Sequence, residues 1–127
     1  MSRNHHLICL PHHAPKISDG TKTTTIRAPR KHAVAVDDTI TFAIWKGVPL
    51  RSKQERVRVV TVTSVRKIDV FGNGHCFTVD IDAVPQSTSQ CNELAVGDGF
   101  ANAEQLVDYL TSDKQPEFSG FIYGWEA

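Results

Sequence analysis

The feature that most narrows the possible folds is a hairpin in the middle of the chain. A long β-branched run, Val57 to Val70, reaches Gly72-Asn73-Gly74 and returns through Cys76 to Ala83. Asn-Gly is favoured in tight hairpin turns, where positive φ is needed and the turn must match the twist of the strands it joins. On the return strand Phe77, Val79, Ile81 and Ala83 point one way, and Thr78, Asp80 and Asp82 the other. That alternation sets one face for burial and fixes the register.

Other segments supply partners for this hairpin. Leu7-Ile8-Cys9-Leu10, closed by Pro11, predicts a short strand, and Pro15 to Asp19 a turn of helix that Gly20 ends. Thr23 to Arg27 follows as a strand, because consecutive β-branched residues disfavour helix. Thr39 to Trp45 alternates, with Ile40, Phe42 and Ile44 on one face and Thr39, Thr41, Ala43 and Trp45 on the other. One α-helix is signalled after Asn102, which can cap it with Gln105 three residues on; Leu106, Val107, Tyr109 and Leu110 form its apolar face. Pro116 limits its continuation, and Phe118 to Trp125 reads as a closing strand with close approaches at Gly120 and Gly124.

At 127 residues and 40% hydrophobic content, without repeats or a dividing linker, residues 1–127 are expected to form one domain. Five or six strands with one or two flanking helices imply an α+β domain, and a sheet so rich in strands is expected to close into a small β-barrel. No apolar run is long enough to span a bilayer, and Met1-Ser2-Arg3-Asn4-His5-His6 lacks a signal-peptide pattern, so a cytoplasmic location without membrane attachment is the default expectation. Cys9, Cys76 and Cys91 are odd in number and widely separated, which argues against a disulfide framework or a zinc site. His5-His6 and His12-His13 have no accompanying carboxylate pattern, and no metal or cofactor is expected.

Formal net charge is zero but unevenly placed. Residues 1–67 hold 13 Lys/Arg against 4 Asp/Glu, and residues 68–127 hold 1 against 10, giving halves of +9 and −9. Neutralisation across neighbouring strands is the plain expectation, and a local basic face for an anionic ligand the alternative. The chain lacks the overall positive excess of non-specific nucleic-acid binders.

Three stretches together resemble one family. They are Gly20-x-Lys22-Thr23-x-Thr25-Ile26-Arg27 after a short helix, Ala35-Val36-Asp37-Asp38 ahead of a strand, and Asp98-Gly99-Phe100 before a helix and a final aromatic strand. They resemble the ASCH domain, a relative of the PUA domains, which are small RNA-binding barrels, and the resemblance runs from about Pro15 to Trp125. Asp37 departs from the pattern, since members commonly carry Gly there.

The resemblance implies a PUA-like barrel and an activity. Small ASCH members are similar to bacterial N4-acetylcytidine amidohydrolases, which remove an acetyl group using a Lys, a Thr and a Glu; others are implicated in RNA binding or cleavage. By position the Lys is Lys22 and the Thr is Thr25, and the carboxylate is Asp98, with Glu93 as substitute. Asp is one methylene shorter than Glu, which makes its reach a question of geometry.

Amide hydrolysis requires an activated nucleophile, a proton shuttle to the leaving amine and stabilisation of the oxyanion. A Thr hydroxyl attacks once a base takes its proton, and a Lys serves as base only when burial lowers its pKa. A nearby carboxylate raises the Lys pKa instead, so which group is nucleophile and which base stays open. In a regular strand Lys22 and Thr25, three apart, face opposite ways, so they meet only if Lys22 lies in the turn after Gly20. Thr23, Thr25 and Arg27 then share a face, and Arg27 offers a planar fork to a carbonyl or phosphate.

Read without the motif, this stretch is an ordinary surface strand, and Asp98-Gly99 an ordinary turn. Trp45 and Tyr123 are candidates to stack on or line a base, although alternate strand aromatics also pack cores. Arg51, Lys53, Arg56 and Arg58 form either a phosphate-facing rim or a solvated hairpin flank. The expected partner is a modified nucleoside or RNA. The alternatives to the hydrolase are a module that binds RNA or nucleotide without turnover and, last for want of a recognisable general-base His, a ribonuclease.

Overall fold

The computed structural model describes residues 2–47, 52–73, 76–112 and 114–127. It is an α+β structure with a seven-stranded mixed sheet and three α-helices. The strands are β1 (Asn4–Ile8), β2 (Thr24–Arg27), β3 (Thr39–Trp45), β4 (Gln54–Gly72), β5 (Phe77–Ile81), β6 (Val84–Pro85) and β7 (Glu117–Trp125). The helices are α1 (Ala14–Ser18), preceded by a 3₁₀ turn at Pro11–His13, α2 (Thr88–Gly97) and α3 (Ala103–Leu110). No helix among the described residues is long and apolar enough to cross a membrane.

The β-branched run becomes β4, 19 residues long, which acts as the spine of the sheet. Its first part pairs antiparallel with β3, from Trp45↔Gln54 to Thr39↔Thr61. Its second part carries β5 (Val70↔Val79) and β7 (Val65↔Tyr123). β7 continues the sheet to β2, and β1 joins β3 in parallel, Ile8 opposite Ala43. Among the described residues no ladder joins β1 to β2. The sheet is therefore open, where the sequence suggested a closed barrel. Strands and helices exceed the expected numbers because β6 is a two-residue strand and α2 was not foreseen.

Glycines let the sheet close up around β7. A Cβ at Gly120 would lie 2.3 Å from the carbonyl oxygen of Arg27, and one at Gly124 would lie 2.4 Å from Ser64 Oγ. Local patterning also departs from simple alternation in two places. A bulge between Phe42 and Ala43 turns Ala43 inward, so Phe42 and Ala43 are both buried. Ala83 does not continue the inward face of β5; it is exposed, with φ 65°, in the turn beside Asp82. Gly74, at the tip of the expected hairpin turn, lies outside the described residues, as does Arg51 of the basic run.

Two apolar clusters cover the sheet. Ile26, Ile68, Val79 and Ile122 pack under α2 and α3, against Ala95, Leu106 and Val107. Leu7, Cys9, Phe42, Val62, Tyr123 and Trp125 pack with Ile17 of α1. The clusters meet where β1 and β2 fail to pair.

Candidate functional site

Gly20 has φ 83° and ends α1, and the chain then folds back on that helix: Lys22 N–H donates to the Lys16 carbonyl at 2.9 Å and Thr21 N–H to Asp19 Oδ1 at 2.8 Å. Lys22 therefore lies before β2, outside its alternation, and its side chain turns inward until the residue is 2% exposed.

What receives the ammonium is the end of α2. Ser87 starts this helix with a reciprocal capping box to Gln90. Asp98 ends it: Gly99 takes φ 96°, its N–H donating to Val96 O at 3.0 Å, while the Phe100 N–H reaches Ala95 O at 2.8 Å. This is a Schellman stop with glycine in the left-handed position. Asp98-Gly99-Phe100 thus closes the helix before it, as well as preceding α3. Lys22 Nζ donates to the Asp98 backbone carbonyl and lies 3.1 Å from Asp98 Oδ1. A cation at a helix C-terminus is favoured by the helix dipole, and the carbonyl it binds is otherwise unpaired. The Thr23 N–H donates to Gly97 O at 3.3 Å and the Thr24 hydroxyl to Asp98 Oδ1 at 3.3 Å, which docks this stretch of chain along the helix end.

Lys22 and Asp98 share a cavity of about 130 Å³ with Thr25 and Arg27. Ile8, Cys9 and Leu10 form the opposite wall, so the cavity occupies the open seam between β1 and β2. Arg27 spans the seam. Its Nη2 donates to the Ile8 carbonyl at 2.9 Å and its Nε to Thr25 Oγ1 at 3.2 Å. Since Thr25 Oγ1 accepts from Arg27, its own proton is free to point elsewhere.

Burial dominates the electrostatics. It raises Asp98 to about 6 against the pull of Lys22, Thr24 and Arg27, and it lowers Lys22 against the pull of Asp98. Each partner is thus pushed toward its neutral form while the pairing holds both charged. Both shifts narrow the gap that a proton crosses between the two groups. Burial likewise raises the Cys9 thiol, so Cys9 is a neutral wall rather than a thiolate nucleophile.

Of the other residues singled out in the sequence, Glu93 is exposed on α2 and lines a different surface recess with Thr24 and Arg66. Thr23 is half-buried and linked by its backbone to Gly97 and Trp125, outside the cavity wall. Tyr123 is 1% exposed in the core, stacked with Phe121 at 6.5 Å. Trp45 sits half-buried opposite Gln54 on β3 and is not part of the cavity wall. Arg58 Nη1 donates to the Ile17 carbonyl at 3.1 Å, holding α1 to β4, and Lys53 and Arg56 are exposed.

The structure adds three residues that the sequence did not single out for the site. His13 reaches the cavity from the 3₁₀ turn and Phe100 from the α2 stop. Tyr109, assigned by helical periodicity to the apolar face of α3, is instead 58% exposed at the cavity edge, its ring 5.3 Å from Phe100. No family model, curated protein or solved structure matches this chain, so the chemistry of the site stands on this geometry and on the motif in its sequence.

Proposed function

We propose that this chain is an ASCH-like, PUA-related domain that hydrolyses the amide of N4-acetylcytidine-type nucleosides, with Lys22, Thr25 and Asp98 as reacting groups and Arg27 assisting. The observation that carries the reading is the buried Lys22–Asp98 pair, 3.1 Å apart in a cavity shared with Thr25. The shorter Asp lies within 3.1 Å of Lys22, which supports reading it in the place of the Glu. Asp37, where family members commonly carry Gly, has φ 75°, a conformation glycine adopts at no steric cost. The seam between β1 and β2, bridged by Arg27, is where a PUA-like barrel would be completed.

The chemistry follows from the groups present. A cavity of about 130 Å³ is well below the roughly 300–1,000 Å³ of drug-sized pockets, and suits an acetamide group with the base outside it. Tyr109, exposed at the edge, offers a ring on which that base stacks. We assign attack to Thr25 rather than Lys22, because an acylated lysine is itself an amide and no easier to hydrolyse than the substrate. The Thr25 proton passes to the Lys22–Asp98 couple as its oxygen bonds to the carbonyl carbon. When the C–N bond breaks, the couple returns that proton to the leaving nitrogen, and water then releases acetate from the Thr25 ester. Donors from Lys22 and Arg27 face the developing oxyanion.

The test is release of cytidine and acetate from N4-acetylcytidine. Lys22→Met and Thr25→Val are expected to lower kcat about 10²- to 10⁴-fold, the usual contribution of positioned acid–base groups, with the fold retained by circular dichroism. Wild-type inactivity at high enzyme concentration, or full activity in either variant, overturns the reading.

A second reading, binding of RNA without turnover, draws on a different surface. Arg3, Asn4, His5 and His6 of the β1 end and Arg30, Lys31 and His32 after β2 line a groove with no carboxylate in its wall. Asp38, beneath it, is paired with His5 at 2.9 Å. It predicts RNA affinity that falls steeply with salt and weakens in Arg30→Ala and Lys31→Ala. Cleavage of RNA in the same incubation, lost in Lys22→Met, would favour the ribonuclease.

A further inference from the structure

His13 is the cavity residue that the proton-transfer scheme leaves unused. It is 5% exposed, and its Nε2 is buried without a hydrogen-bond partner. Its ring packs edge-on against Phe100 at 5.2 Å and against His12 at 4.3 Å. A Cβ placed at Gly99 would stand 3.2 Å from Nε2, so the glycine of the α2 stop leaves room for this ring. Ring packing explains a buried aromatic, but not a buried nitrogen left unpaired. Leaving such an atom unsatisfied costs about 1–3 kcal/mol, which a phenylalanine at this position would not incur. Trp125 Nε1 is also buried and unpaired, but it lies in the core away from the cavity wall, whereas His13 belongs to that wall.

The remaining polar groups of the cavity are unevenly divided. Lys22 and Arg27 are donors. The acceptors are largely engaged: Asp98 Oδ1 by Lys22 and Thr24, the Ile8 carbonyl by Arg27, and Thr25 Oγ1 by Arg27. His13 Nε2 is a buried nitrogen without a partner on a residue of this same lining.

We infer that His13 Nε2 accepts a hydrogen bond from the N–H of a secondary amide whose carbonyl oxygen meets the Lys22 and Arg27 donors, making the cavity selective for secondary over tertiary amides. This deepens the reading above and rests on it for the identity of the amide. His13 is kept neutral, its pKa held down to about 4 by burial and by the nearby Lys22, His12, Lys16 and Arg27, so one ring nitrogen is an acceptor, and in the Nδ1–H tautomer that nitrogen is Nε2. A tertiary amide puts a carbon where the N–H belongs and leaves Nε2 unpaired against it. Selectivity of this kind arises when a buried polar group loses its partner.

The experiment reads His13 directly, by long-range ¹H–¹⁵N correlation of the imidazole nitrogens in the wild-type protein, with His13→Phe to assign the signals. N-methylacetamide and N,N-dimethylacetamide are the probes. The expected result is a saturable Nε2 shift with N-methylacetamide and none with the dimethyl compound; equal shifts with both, or no shift with either, overturns the inference. In turnover, His13→Phe should lose about tenfold or more in kcat/KM on N4-acetylcytidine, while His13→Gln, which restores an acceptor, recovers part of it. The two readings fail separately. A selective Nε2 shift in a protein that releases no cytidine removes the proposed substrate and keeps the amide site. Turnover with no selective shift and a full-rate His13→Phe variant keeps the hydrolase and removes His13 from it.

Discussion

Two buried titratable side chains in one small cavity give the molecule opposing responses to acid. Unfolded, His13 takes a proton near pH 6.5, but folded it waits until about 4, so its contribution to stability is lost as the pH falls through that window. Asp98 runs the other way. Its folded pKa, about 6, is above its ordinary 3.8, so the stability it contributes is full below pH 3.8 and is lost as the pH rises through about 6. Between pH 6 and 4 the two slopes oppose each other. Urea unfolding across this window should therefore show a shallow dependence in the wild type. Asp98→Asn, which leaves His13 unopposed, should lose up to about 1.4 kcal/mol per pH unit on acidification, and His13→Phe should gain stability instead. Parallel profiles for all three proteins would contradict these assignments. Asp38, held down to about 2 by hydrogen bonds from His5, Arg3 and Ala35, contributes stability that is lost only as the pH falls through about 2, outside this window. Lys22, Thr25 and Asp98 were legible as candidates from the string around Gly20 and from Asp98-Gly99-Phe100. His13 was not, because adjacent histidines before a proline-bounded helical turn carry no signal of which ring turns inward.

At the scale of the element, the end of α2 is the part on which the site depends most. Gly99→Ala would force a side chain into left-handed backbone, at about 1–2 kcal/mol, and bring its Cβ to 3.1 Å from the His13 ring. The expected outcome is destabilisation together with lost turnover. Ser87→Ala, at the other end of the same helix, should cost about 1 kcal/mol in stability and leave the cavity's chemistry intact. Thermal melts paired with rates of the proposed hydrolysis separate the two; a Gly99→Ala variant with normal rate would show that the helix stop does not position the site. The sequence announced the bounds of β3 residue for residue, from the alternation of Thr39 to Trp45, but not the bulge that turns Ala43 inward. It concealed α2, whose first turn is Thr88, Ser89 and Gln90 and whose inward residues, Cys91 and Ala95, form too thin a stripe to register as periodicity. The signal was there in Ser87 and Gln90, a capping pair at the required spacing. Asp98 precedes α3, as expected, but it also ends α2, and that second role was hidden with the helix.

For the whole molecule, the decisive fact is long-range and lies beyond local patterning: β1 pairs with β3 in parallel, β2 with β7, and nothing in either strand's own residues states that the two will not pair with each other. Charge follows the same logic. Charge pairing between the halves is seen at Lys22–Asp98, distant in sequence, and at Lys67 and Asp69, neighbours on β4. Arg27 is central to the seam. Arg27→Leu removes two hydrogen bonds from a charged donor, each worth about 1.5–3 kcal/mol, and should speed hydrogen exchange of the amides of Leu7 in β1 and Cys9 just after it at least tenfold. Unchanged protection there would mean that β3 alone holds β1 in place. The cavity is walled on one side by a strand end that β3 and the Arg27 guanidinium both hold, and on the other by the stop of a capped helix that its own backbone hydrogen bonds close. Under the proposed hydrolysis, variants selected for bulkier acyl groups should accumulate changes at Ile8 and Leu10, and leave Arg27, Asp98 and Gly99 alone.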